Sequence, residues 1–286
     1  MTEVALVTGG TGTLGRLVVP RLRDTGCTVR VLSRRSREAG EGGEGIEFVT
    51  GDLTTGEGID AAVEGAEIIV HCAGTSKGDE VKALHLVRAA SRTGARHLVY
   101  ISVVGADRIP VVSGLDRAMF GYFASKLAAE RVVTDSGLPW TILRATQFYD
   151  LILLVARQMA RLPMVPLPAG FRFQPVDADE VAARLAELAL GTPAGLVPDM
   201  AGPKVYSATD LLRGYLRASH QHRPIMPVWL PGKAASAVRA GAHLAPERAV
   251  GQRSWEEFLA DRLSSSSERM LSQPQAQPSR AARSSS

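Results

Sequence analysis

The chain has 286 residues, a net charge of +4 and only two cysteines. That length suits one α/β domain with a smaller lobe. The small positive excess is spread along the chain and argues against a nucleic-acid footprint. Cys27 and Cys72 form no C-x-x-C pair, so neither a zinc site nor a disulfide framework is indicated, and buried free thiols are expected. No uncharged apolar run approaches the ~20 residues of a membrane span. The opening residues read as a core strand rather than a signal peptide, so a soluble cytoplasmic protein is the expectation.

Strand-like and helix-like stretches alternate from the N-terminus, the pattern of a doubly wound parallel sheet with crossover helices. Glu3–Val7 is a first strand and Arg16–Thr25 a helix, joined by Thr8-Gly9-Gly10-Thr11-Gly12-Thr13-Leu14-Gly15. Strand, glycine turn and helix together are the context of a dinucleotide-binding loop. Gly9 permits the sharp turn, Gly12 removes a Cβ where backbone meets pyrophosphate, and Gly15 allows close helix packing. Thr11, Gly12, Thr13 and Leu14 would offer backbone N–H groups at the positive helix end. The spacing is G-x-x-G-x-x-G rather than G-x-G-x-x-G.

Cys27–Leu32 is the second strand, and Ser33-Arg34-Arg35 follows it where a binder of NAD usually has an acid. Arg34 suits a 2′-phosphate through charged hydrogen bonds, and Ser33 adds a hydroxyl donor, so NADP(H) is expected over NAD(H). The first acid comes only at Glu38. Ile46–Val49 is the third strand, ending in Gly51-Asp52-Leu53. A short helix spans 59–63. Ala66–His71 is the fourth strand, followed by Cys72-Ala73-Gly74-Thr75, small residues beside which a ribose fits. His71 reads as a packed strand residue. A helix over 79–93 leads to the fifth strand, His97–Ser102.

Within a long helix over 113–136 stands Tyr122-Phe123-Ala124-Ser125-Lys126. Residues four apart share a helix face, so Tyr122 and Lys126 point at one site. A phenol titrates near ~10, and a neighbouring ammonium is expected to lower that value. Tyr122 would then exchange a proton with a substrate oxygen, while Lys126 also holds a ribose. Ser102, ending the fifth strand, is the expected carbonyl polariser, and Ser113 is a weaker substitute. Trp140–Arg144 is the sixth strand.

Beyond residue 145 the pattern loosens. Helices are expected over 146–161, 176–190, 209–219 and 255–263, separated by Pro163, Pro166 and Pro168. Three units follow: a nucleotide-binding domain over 1–145, a mainly helical substrate lobe over 146–263 partly integrated with it, and a Ser/Gln/Pro/Arg-rich tail over 264–286 expected to be disordered. Phe148, Tyr149, Leu151, Met164 and Phe171 are expected to make an apolar substrate pocket. His220-x-His222 lacks a third ligand and reads as a solvated turn.

The Thr8–Gly15 loop, Tyr122-x-x-x-Lys126, Ser102-Val103-Val104-Gly105-Ala106-Asp107, Ser136–Arg144, Val176–Ala182 and Ala201-Gly202-Pro203 occur together. This set resembles the short-chain dehydrogenase/reductase superfamily, specifically its atypical NmrA-like, NAD(P)H-binding branch, over residues 2–262. The resemblance implies a Rossmann fold, an adenine contact from Asp52 with the Leu53 backbone close by, and oxidoreduction of a carbonyl or alcohol. Ala145 departs from it, since extended members carry proline after the arginine. Some members of the branch lack the tyrosine and act as redox sensors. An NADP(H)-dependent oxidoreductase for a small, mainly apolar molecule is therefore expected. A non-catalytic NADP(H) sensor and a cofactor-retaining epimerase or dehydratase stand as alternatives. No metal, nucleic-acid or membrane partner is expected.

Overall fold

The inner strands of a seven-stranded sheet, rich in Val, Ile and Leu, are apolar on both faces and must be covered twice. The computed structural model describes residues 3–37, 40–75 and 77–271. In chain order the first half gives β1 (Val4–Thr8), α1 (Gly15–Asp24), β2 (Thr28–Ser33), β3 (Ile46–Thr50), α2 (Ile59–Val63), β4 (Ile68–His71), α3 (Asp79–Ala90), β5 (His97–Val103), α4 (Gly114–Thr134) and β6 (Trp140–Ala145). The second half gives α5 (Tyr149–Met159), β7 (Val165–Pro168), β8 (Arg172–Phe173), α6 (Ala178–Leu190), β9 (Gly195–Leu196), β10 (Tyr206–Ser207), α7 (Ala208–Ala218), β11 (Ile225–Val228), α8 (Lys233–Ala240) and α9 (Trp255–Leu271).

The central sheet runs β3-β2-β1-β4-β5-β6-β9 and every pairing in it is parallel. It is a Rossmann-type doubly wound α/β fold, whose strand order reverses beside β1 and leaves a crevice at the strands' C-terminal ends. Alternation assigns the faces. Ala5, Val7, Val29, Val31, Val99 and Ile101 point to α1 and α6, while Leu6, Leu32, Ile69, Leu98 and Tyr100 point to α2, α3 and α4.

After residue 145 the chain contributes to both units. Helix α6 packs on α1, and β9 extends the sheet beside β6. A third core lies apart, formed by α5, α7, α8, α9 and the 163–173 segment. At its centre Tyr149, Trp255 and Phe258 stack with ring centroids 5.2–5.7 Å apart. The Tyr149 hydroxyl donates to the Arg253 carbonyl at 2.8 Å, and the Trp255 indole N–H to the Leu211 carbonyl at 3.1 Å.

Two expectations from the sequence are corrected here. Helix α9 does not stop at Leu263 but continues to Leu271, so the start of the serine-rich tail is helical. The rest of that tail, 272–286, lies outside the described residues, as does Glu38. Ser113 is not a spare catalytic hydroxyl. It caps α4, donating to the Asp116 carboxylate at 2.8 Å and accepting the Asp116 N–H at 3.0 Å.

Trp255 is fully buried and joins α7 to α9. Trp255→Ala is expected to cost about 3–5 kcal/mol in equilibrium denaturation. A loss under about 1 kcal/mol would place the lobe's centre elsewhere.

Candidate active site

A cleft of about 1140 Å³ runs across the C-terminal ends of β1, β2, β4, β5 and β6. At one end lies the β1–α1 turn. Gly9 has φ +69°, and a Cβ there would lie 2.7 Å from the Ala73 nitrogen. A Cβ on Gly15 would lie 2.2 Å from the Gly9 carbonyl oxygen, and one on Gly12 3.2 Å from it. No side chain caps α1, and its first turn holds no acid. A turn too tight for side chains thus delivers an uncapped helix N-terminus to the cleft, which fits a pyrophosphate. Thr11, Gly12, Thr13 and Leu14 line the same wall.

The next stretch takes in Ser33, Arg34, Asp52 and Leu53. The Ser33 hydroxyl is spent locally, donating to the Arg35 carbonyl at 3.0 Å and accepting the Arg35 N–H at 3.2 Å. Within the chain this hydroxyl serves the strand-end turn, and Ser33 lines the cleft beside Arg34. Arg34 is exposed on the cleft wall. One Asp52 carboxylate oxygen accepts the Thr54 N–H at 2.8 Å. That bond, outweighing partial burial and helped by Arg34, holds the carboxyl below its usual range. Asp52 is thus both a turn residue and an anion on the cleft wall.

Ala73, Gly74 and Thr75 form the floor after β4. A Cβ on Gly74 would stand 3.1 Å from both the Asp79 carboxylate and the Lys126 ammonium. The Thr75 N–H donates to Asp79 at 2.8 Å, while its hydroxyl donates to the Lys77 carbonyl at 2.6 Å and accepts from Lys82. His71 is fully buried, stacked on Tyr100, with Nδ1 2.6 Å from the Thr8 hydroxyl. Burial and then the Lys126 charge push its imidazole down to about 3, so it is neutral.

Tyr122, Lys126 and Ser102 all line the cleft. Lys126 is 3% exposed. Its ammonium donates to the Ile101 carbonyl at 3.1 Å and the Tyr100 hydroxyl at 3.3 Å, and meets Asp79 at 3.2 Å as a charge contact rather than an aligned hydrogen bond. Burial alone would lower its titration, but Tyr100 and Asp79 outweigh that and raise it. The ammonium is 5.9 Å from the Tyr122 ring centroid. The expected acidification of Tyr122 does not follow. Although the residue is 38% exposed, crowding around its hydroxyl and then the Asp79 carboxylate push the phenol above its ordinary value. Ser102 is buried with its hydroxyl unpaired among the described residues, as are the Thr146 hydroxyl and the Gln147 amide oxygen just after β6.

Of the expected pocket residues, Phe148, Leu151 and Phe171 line the cleft. Tyr149 does not, being fully buried in the aromatic stack, and Met164 is outward-facing and exposed. Sequence reading missed Asp79, Lys82 and Tyr100 beneath the floor, and Phe173, Val238 and His243 on the far wall. Asp79 was visible only as a first-turn acid. Its role depends on β4 and β5 being neighbours. Among the described residues no cluster of His, Cys, Asp and Glu could hold a metal ion, and no helix is long and apolar enough to cross a membrane.

The Asp79 carboxyl is held below its ordinary 3.8. Burial opposes this, and Lys126, the Thr75 N–H and Lys82 outweigh it. A lowered carboxylate contributes stability above the unfolded value and loses it as pH falls through the folded one. Asp79→Asn is expected to cost about 3 kcal/mol at neutral pH by leaving a buried ammonium unpaired. The gap to the parent should close below pH about 3.8. Denaturation curves across pH check both, and a gap unchanged at low pH would remove the ion pair from the account.

Residues 9–152 match a protein family described as NAD(P)H-binding. The (4-alkanoyl-5-oxo-2,5-dihydrofuran-3-yl)methyl phosphate reductase of Streptomyces griseus is 33% identical over 143 residues, 50% of this chain and 47% of that protein. The ceramide reductase of Caulobacter vibrioides is 31% identical over 227 residues, 74% of this chain and 69% of the relative. The match thus spans about half of the first relative and about two thirds of the second. The crystal structure of an NADPH-dependent quinone oxidoreductase from Escherichia coli with NADPH superposes with a TM-score of 0.75 at 18% identity, covering 91% of this chain and 99% of that one. The cradle, the strand order and these matches agree: the chain belongs to the NAD(P)H-binding family, and its fold is that of the quinone oxidoreductase.

Proposed function

We propose that this chain is an NADPH-dependent reductase for a carbonyl group on a small, mainly apolar molecule. The observation that carries this reading is the opening of Tyr122 and the unpaired Ser102 hydroxyl onto one cleft with the glycine cradle and Arg34. Both relatives above are named as reductases.

The residues divide the work by position. Gly9, Gly12, Gly15 and the α1 N-terminus take the pyrophosphate, Arg34 the 2′-phosphate, and Asp52 with the Leu53 backbone the adenine. Ala73, Gly74 and Thr75 pass beneath the ribose. The reduced nicotinamide, when bound, supplies hydride to the substrate carbon. Ser102 donates a hydrogen bond to the substrate oxygen and polarises it. Tyr122 gives that oxygen its proton. The phenol carries its proton at neutral pH and so is in the form that can donate. Lys126 stays cationic beneath the ribose floor, held there by Tyr100, Ile101 and Asp79. Phe120, Phe123, Phe148, Leu151 and Phe171 provide the apolar walls.

Tyr122→Phe is expected to lower the rate of NADPH oxidation by a carbonyl substrate at least about 100-fold, with cofactor affinity unchanged. Full activity in that variant would remove the assignment. Arg34→Ala should weaken NADPH binding about tenfold or more, the loss of a charged hydrogen bond, and leave NADH binding unaltered. Equal losses for both nucleotides would contradict the 2′-phosphate role. The acid form of Tyr122 is present below its raised value, and His71 titrates near 3. The reduction rate should therefore stay level between pH about 6 and 9, and a steep fall within that window would implicate another group.

A further inference from the structure

The far wall of the cleft carries a histidine that the cofactor cradle and the proton-transfer residues leave unused. His243 follows α8 and is 1% exposed, and its residue lines the cleft together with Phe171, Phe173 and Val238. It is pinned from several sides. A Cβ on Gly105, which has φ +89°, would lie 2.9 Å from the His243 Cα, so the loop after β5 lies directly on it. Phe173 meets the imidazole edge-on with centroids 5.6 Å apart. Nε2 lies 2.8 Å from the Arg172 carbonyl oxygen.

That last contact fixes the tautomer. A carbonyl oxygen only accepts, so Nε2 carries the hydrogen. Burial, opposed by the Arg172 carbonyl and reinforced by the charges of Arg108 and Arg172, pushes the imidazole down to about 4, so it is neutral at physiological pH. Nδ1 is then a bare lone pair, buried and without a hydrogen-bond partner among the described residues. Buried polar atoms in native proteins are rarely left so. In a wall otherwise made of Phe171, Phe173 and Val238, one fixed acceptor reads a donor on a largely apolar ligand.

We propose that His243 Nδ1 is a specificity contact that accepts a hydrogen bond from a hydroxyl or amide N–H on an otherwise apolar substrate. This deepens the reductase reading and rests on it for the word substrate. The binding claim itself stands without turnover. The acceptor favours neutral donor-bearing groups and offers nothing to a carboxylate, which has no proton to give at neutral pH.

The test uses the full chain saturated with NADP+ and calorimetric dissociation constants for decan-2-one and for the set of hydroxydecan-2-one positional isomers. At least one isomer is expected to bind about tenfold tighter than decan-2-one, the size of one added hydrogen bond. His243→Gln keeps an N–H for the Arg172 carbonyl and moves the acceptor, now an amide oxygen, off the Nδ1 position. It should erase that advantage while leaving decan-2-one within about twofold. Persistence of the advantage in His243→Gln, or no isomer gaining over decan-2-one, overturns the proposal. A measurement on the parent protein covers the case of a misfolded variant. The ¹⁵N resonance of His243 Nδ1 should move when the favoured isomer binds and stay still with decan-2-one. An unmoved resonance, or a hydrogen on Nδ1, overturns it. A tighter hydroxylated isomer that is nonetheless never reduced would sink the reductase reading and leave this contact standing.

Discussion

A single buried ammonium organises this site. Lys126 is withdrawn from water between the Asp79 carboxylate, the Ile101 carbonyl and the Tyr100 hydroxyl. An isolated charge there would cost several kcal/mol, so the three partners are a condition of the fold as much as of the chemistry. They come from the start of α3 and from β5, while Lys126 comes from α4. Satisfying the charge therefore locks the helix that carries Tyr122 to the strand that ends in Ser102. Gly74 passes over the cluster so closely that a methyl group would touch both charges, which makes the cluster the floor on which a ribose can lie.

That constraint separates two roles the Tyr-x-x-x-Lys spacing seemed to merge. The side chains share a helix face, yet the ammonium turns inward and the phenol faces the cleft. The phenol keeps its proton, and the ammonium supplies a fixed positive field from below. Around this site the walls are aromatic and aliphatic, and their polar atoms are few and placed at the strand ends, at Ser102, Thr146 and Gln147, and on the far side at His243.

Much of the scaffold was legible in the sequence because it is local. The glycine spacing and the short apolar runs of the strands each state their own structure within a few residues. The cradle glycines, Arg34, Tyr122, Lys126 and Ser102 were reached that way, and all of them line one cleft. What escaped was non-local. Asp79 and Tyr100 meet Lys126 only because β4 and β5 pair in parallel. His243 reaches the cleft after the chain has built a second core and returned. The turn that engages the Ser33 hydroxyl two residues away, at Arg35, was likewise outside the strand reading. The serine-rich stretch after Leu263 begins as helix because it continues the turn pattern anchored by Trp255 and Phe258.

A crystal structure of the complex with NADP+ tests the central claim most directly. The account predicts the nicotinamide ring between Ser102 and Tyr122, the Tyr122 hydroxyl facing the ring, and Lys126 still seated on Asp79 and Tyr100. A nucleotide bound away from the glycine cradle, or a Tyr122 hydroxyl turned from the ring, would contradict it.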